Sequence, residues 1–243
     1  MIQKVLWVLD LKKNQREDYK KLMNNSYEQY SLLADLFYYP IAGFSDVAGK
    51  AQAYLDEHYP IAGNELRKFT DFVLQASQIE LEELFTRSFD VQAATTLDIG
   101  YVLFGDDYKR GQVLVNLNSE HKEAGVDCGN ELADHLPNIL RLLHKMKKPE
   151  FRENLVEKIV APAVKKIITE FNPQKIEKRN VIYRKHHRTI IETSNDYALI
   201  YQFPLKAVYQ VMREDFNFKE IELQQSRSDF LKSVGSEMKI EPQ

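Results

Sequence analysis

Apolar positions along this chain recur mostly three and four residues apart. Leu66, Phe69 and Val73 fall on one side of a helix, as do Leu81, Leu84, Phe85 and Ser88. The spacing returns at Leu97, Tyr101 and Phe104, at Val113, Leu114 and Leu117, and at Leu136, Ile139, Leu140 and Leu143. It continues through Leu155 and Ile159 to Val164, Ile167, Ile168 and Phe171. Such stripes bury one helical face, whereas a half-buried strand would alternate every second residue, so the pattern predicts an all-α protein.

The interruptions carry stop and start chemistry. Tyr38-Tyr39-Pro40 closes the first helix, because the residue before a proline leaves the helical region. Phe104–Asp107 reads as a turn in which Asp106 or Asp107 caps the next helix. Gly125 is the expected C-cap of that helix, and the loop after it runs to a new helix start at Asp134. Pro162 lies inside an apolar stripe and should kink or divide the helix there. From Asn172 the periodicity fades. The expected division is a helical domain over 1–172 and an extension over 173–243. That extension is read as a charged arm or short hairpin within Lys175–Thr193, a helix over Ala198–Arg213, and a polar end.

Composition narrows the classes. A formal net charge of −3 and a pI near 6.1 argue against a protein built to coat nucleic acid. The single cysteine, Cys128, permits no intrachain disulfide and no thiolate metal or cluster site, and it fits a reducing, cytoplasmic setting. The opening MIQKVLWVLDLKK is too short and too interrupted to span a bilayer, and no cleavage site or twin-arginine pair accompanies it. It reads as a short strand or helix against the core.

Asp134-His135-Leu136-Pro137 is the most distinctive short stretch. Neighbouring residues on a helix point about 100° apart, so Asp134 and His135 cannot form a relay with each other. No His-x-x-x-His pair exists to hold a metal. Asp134 as N-cap and Pro137 in the first helical turn account for two of the residues. His135 is left without a structural reason. Tyr27, Tyr30, Leu33, Ala34 and Phe37 share one helical side, which suits either a core or a groove edge that receives another helix. The basic stretch Arg179–Arg188, with its interleaved tyrosine, reads as a solvated edge or as an arm for an acidic partner, with a nucleic-acid patch as the lesser alternative. Gly111 sits early in a helix, where it costs about 1 kcal/mol against alanine, and a close approach by something is the usual reason. Walker, dinucleotide, nucleophile-elbow and paired-carboxylate motifs are all missing, so the chain reads as a helical binding protein and not as an enzyme.

Phe89–Leu143 resembles the nitrate reductase molybdenum-cofactor assembly chaperones, the NarJ-like branch of the TorD superfamily. The family's Gly-Asp/Glu-x-x-x-Arg-Gly segment stands here as Gly105-Asp106-Asp107-Tyr108-Lys109-Arg110-Gly111, and its Ala-Gly turn as Ala124-Gly125. Its Glu-Leu-Pro-Asp-His-Leu-Pro signature stands as Glu131-Leu132-Ala133-Asp134-His135-Leu136-Pro137, with Ala133 in place of a proline. The early LLADLFYYP also resembles the end of the family's first helix. The likeness covers about residues 25–145 well and 146–172 loosely.

The resemblance implies a cytoplasmic, single-domain, all-helical chaperone. Such a protein binds the N-terminal segment of the apo catalytic subunit of a molybdoenzyme and holds it for cofactor insertion. It would contain no cofactor or metal of its own, bind no nucleic acid and insert into no membrane. Cofactor-delivery proteins are further implied partners. Client contacts are expected at Glu131, Asp134, His135, Leu136 and Pro137. The preceding segment adds Tyr101, Phe104, Asp107 and Arg110, and Tyr27 and Tyr30 stand at the groove edge. The alternatives are a signal-peptide escort controlling export and, from another class, a nucleotide hydrolase using Asp134 and His135.

Overall fold

Capping groups and prolines cut the chain into helices close to where the apolar spacing predicts them. The computed structural model describes residues 27–91, 93–178 and 199–218. Helix α1 (Glu28–Ala34) tightens into a single 3₁₀ turn, Asp35–Phe37, and Tyr38 then leaves in an extended conformation before Pro40. Helices α2 (Phe44–His58) and α3 (Pro60–Gln75) form an antiparallel pair, with Pro60 opening the second. They cross closely enough that a Cβ on Gly63 would come within 2.5 Å of Asp56 Oδ1. Helix α4 (Gln78–Phe89) starts on a capping box, Ser77 with Glu80, in which each side chain meets the other's backbone amide. Helices α5 (Ile99–Phe104), α6 (Tyr108–Ala124) and α7 (Leu136–Lys145) follow.

Helix α8 (Pro149–Leu155) runs through a π-helical turn, Val156–Val160, into α9 (Ala161–Glu170). The turn ends two residues before Pro162, whose ring has no amide to offer the previous turn, and the wider winding accommodates that loss. Residues 173–178 add one more helical stretch, and α10 (Gln202–Phe216) ends where Asn217 takes a left-handed conformation at φ 48°. Among the described residues there is no strand and no helix long and apolar enough to cross a membrane.

The core gathers α1, α2, α3, α4, α7, α9 and α10. Leu33, Leu66, Phe69, Leu136, Ile139, Leu143, Val164 and Ile167 have 0–1% of their surface exposed. The expected division at Asn172 does not hold. Leu205, Val208, Val211 and Met212 of α10 are fully buried in the same cluster, against α3 and α9. Tyr201, one residue before α10, lies between the rings of Phe37, Phe69, Phe85 and Phe89, at centroid distances of 4.7–6.3 Å. The far end of α10 is tied down by Asp215. Its carboxylate accepts hydrogen bonds from Tyr30 (2.9 Å), Tyr59 (2.8 Å) and Gln29 (2.8 Å).

The predicted helix over Ala198–Arg213 is therefore real but displaced, starting and ending three to four residues later. The hairpin expected within Lys175–Thr193 is not formed at its start, where residues 175–178 are helical. Its remainder lies outside the described residues, as do the Arg179–Arg188 arm, the opening stretch and the polar end.

Candidate functional site

Two helices start side by side on one backbone bridge. The Ile99 amide donates to Asp134 O at 3.0 Å and the Leu136 amide donates to Leu97 O at 2.9 Å, so Asp98 and His135 face each other across an isolated antiparallel bridge. Asp98 is the N-cap residue of α5 and His135 that of α7, yet neither side chain caps its own helix. They bond each other instead, His135 Nδ1 to Asp98 Oδ1 at 3.0 Å.

Arg110 joins this pair from the first turn of α6. Its Nη2 lies 3.1 Å from Asp98 Oδ2 and its Nε lies 3.1 Å from Asp134 Oδ2, while its guanidinium stands 5.2 Å from the centre of the Tyr101 ring. Asp107 caps α6 by accepting from the Lys109 amide at 2.9 Å, which sets the turn that aims Arg110. The Asp134 carboxylate is fully buried, and its Oδ1 has no hydrogen-bond partner. Gly100 makes room for it: a Cβ there would lie 2.6 Å from Asp134 Oδ2.

The two carboxylates titrate in opposite directions. Burial pushes Asp134 up, and the Arg110 hydrogen bond only partly offsets it. Burial also pushes Asp98 up, but the bonds and charges of His135 and Arg110 outweigh it, so Asp98 is held below the ordinary carboxylate range. The loop behind the cluster, between α6 and α7, is held by side chains too. His121 Nε2 meets Ala133 O at 3.0 Å, and Asn138 Nδ2 donates to the carbonyls of Cys128 (3.2 Å) and Leu132 (3.1 Å). Burial pushes the His121 pKa down and the Ala133 bond only partly counters it, so the ring is neutral near pH 7. Cys128 is half-buried, and burial together with Asp127 pushes its thiol up, away from thiolate chemistry.

The structure brings Arg110, Asp134 and His135 together, with Tyr101 stacked on the arginine and Glu131 Oε2 4.0 Å from the histidine. Three expectations need correction. Asp134 is not the N-cap of α7; it is one residue further out, and its side chain is taken by Arg110. Leu136 and Pro137 are buried and shape the junction from inside, with no surface to offer a partner. Tyr30 is likewise fully buried on Asp215, so it belongs to the core and not to a groove edge. Tyr27 is half-buried, stacked on Phe216 at 5.7 Å with the Arg152 guanidinium 4.2 Å from its centre, well away from the Arg110 cluster in sequence and in its contacts. Phe104 is half-buried and Glu131 and Asp107 are exposed.

Sequence reasoning missed Asp98, Gly100 and His121. Asp98 stands at a helix start and could have been read as a cap, but nothing local points to a partner 37 residues away.

Helix α6 carries the most open surface near the cluster. Of its seventeen residues only Leu117 and His121 are buried. Tyr108 is 80% and Val115 69% exposed, and with Gly111 between them they stand at i, i+3 and i+7 on one face. A Cβ on Gly111 would meet nothing within 4 Å, so no internal contact explains the glycine. No protein-family model matches the chain, and no curated protein matches it.

Proposed function

We propose that this protein is a dedicated chaperone that captures the N-terminal segment of the apo catalytic subunit of a nitrate-reductase-like molybdoenzyme, in the cytoplasm, and holds it for cofactor insertion. The reading rests on the resemblance of Phe89–Leu143 to such chaperones. The observation that supports it most is the meeting of the two resembling motifs, through Arg110 and through Asp134-His135, in one ion-paired junction beside the exposed face of α6. An amphipathic client helix would lay its apolar side on Tyr108, Gly111 and Val115. Moderate affinity suits a protein that must let its client go, and a half-open junction with a polar rim favours it over a large dry interface.

Titration of the purified chain with the apo catalytic subunit and with its cofactor-loaded form tests the proposal. Tighter capture of the apo form is expected, and equal capture of both, or of neither, would overturn it. Gly111 sharpens the measurement. Gly111→Ala should stabilise the free protein by up to about 1 kcal/mol, since α6 gains helix propensity and the methyl meets nothing. If a client backbone approaches there, the same substitution weakens capture. A variant that melts higher and binds unchanged would move the contact elsewhere.

The hydrolase reading has one observation in its favour: a carboxylate on a histidine Nδ1 is the arrangement of a general base, although the carboxylate is Asp98 and not Asp134. Nucleotide turnover by the purified chain, abolished by His135→Ala, would establish that reading in place of the first.

A further inference from the structure

We infer that Asp98 is a positioning residue that fixes the tautomer of His135, so that Nε2 is presented outward as a hydrogen-bond acceptor and the group it meets on a partner is a donor. The inference rests on the reading above in supposing that a partner reaches this junction. Its chemistry comes from the geometry alone. An ionised carboxylate only accepts, so the 3.0 Å contact between Asp98 Oδ1 and His135 Nδ1 requires the proton on Nδ1. The carboxylate cannot turn away, because Arg110 Nη2 holds its other oxygen at 3.1 Å. The backbones cannot drift apart either, because the bridge pins both residues from each side.

His135 Nε2 has no hydrogen-bond partner among the described residues, and it is not among their buried unpaired atoms. Glu131, at 4.0 Å from Nδ1, is too far to compete for the proton. In the neutral ring the lone pair on Nε2 is therefore left unbonded by the described residues and aimed away from Asp98. Asp98 and Asp134 flank the Arg110 guanidinium and the exposed Glu131 lies 4.0 Å from the His135 ring, an acidic surround that favours a cationic donor such as a lysine or arginine side chain over a neutral one.

The test reads the ring directly. Long-range proton–nitrogen spectra of the full chain, labelled at histidine, are expected to show His135 protonated at Nδ1 and unprotonated at Nε2 at mildly alkaline pH. Asp98→Asn should release the ring to the Nε2-protonated form; His135 already in that form in the wild type, or unchanged in the variant, would overturn the inference. Should Asp98→Asn fold poorly, the wild-type spectrum decides alone. A synthetic peptide of the client's N-terminal segment supplies the second arm. Asp98→Asn and His135→Asn should each weaken it about five- to tenfold, the worth of one net hydrogen bond, while His135→Gln, which keeps an acceptor near the Nε2 position, should recover most of the loss. Equal recovery by Asn and Gln would count against the acceptor role. A peptide that does not bind the wild type at all sinks the client reading, and the ring spectra still decide the role of Asp98.

Discussion

Deleting residues 173–243 is expected to leave no folded protein. Leu205, Val208, Val211 and Met212 are each fully buried, and burying such side chains is worth about 1.5–3 kcal/mol apiece, together about 6–12 kcal/mol. That is comparable with the 5–15 kcal/mol by which a typical domain is stable at all. Loss of α10 also strips Tyr30, Tyr59 and Gln29 of their shared acceptor, Asp215. Tyr201→Ala is the graded form of the same experiment. Removing a ring that four phenylalanines surround should cost about 3–5 kcal/mol. Denaturant unfolding of the point variant, beside circular dichroism of the truncated chain, checks both. A truncated chain that melts cooperatively would show that α10 is an accessory after all.

Arg110→Ala should be the most damaging single change at the candidate site, at about 3–5 kcal/mol, because it leaves the fully buried Asp134 carboxylate without its cation. The cost should depend on pH, with a sign that follows from the two carboxylates. Asp134, pushed up by burial, contributes stability that is present below its unfolded pKa and lost as pH rises through its folded pKa. Asp98, held down in spite of its burial by His135 and Arg110, contributes stability that is present above its unfolded pKa and lost as pH falls through its folded pKa. Without Arg110 both carboxylates move up, so the variant gains relative to wild type as pH drops toward the carboxylate range. The gap between the two proteins should therefore narrow between neutral pH and mildly acid pH, and Asp134→Asn placed on Arg110→Ala should close much of it at neutral pH. A gap that stays constant across that range would mean that Arg110 acts by packing on Tyr101 alone.

Much of the helical layout was legible because it is written locally. Asp107 caps α6 and Gly125 ends it at φ 66°, both as spacing and residue type suggest, and Tyr38 turns away before Pro40. Pro162 does disturb its helix, although a sequence cannot say that the answer will be a π-turn and not a kink. The failures have a common physical source. Asp134 looks like a cap because aspartates so often are, but a half-buried arginine 24 residues upstream takes its side chain instead. Tyr30 lies on a face that would suit a groove, until a helix from the far end of the chain covers it. The helix of α10 was legible, but its place in the core was not, because its buried positions are partly filled by Pro204, Ala207 and Tyr209, which blunt the stripe. In each case the deciding partner is distant in sequence, and local pattern carries no record of it.

The bridge between Asp98 and His135 has a consequence for how the molecule opens. It clasps the base of a long excursion whose main element, α6, buries only two side chains. With the base held and the first turn anchored by Arg110 on Asp134, the lightly packed remainder of α6 is expected to open and return while the bundle stays intact. Amide protons of α6 beyond its first turn would then exchange with solvent by a low-energy partial opening. The Ile99 and Leu136 amides, which form the clasp, would keep the slow exchange of the core. A surface that loosens on a fixed hinge can change shape without disturbing the fold that carries it.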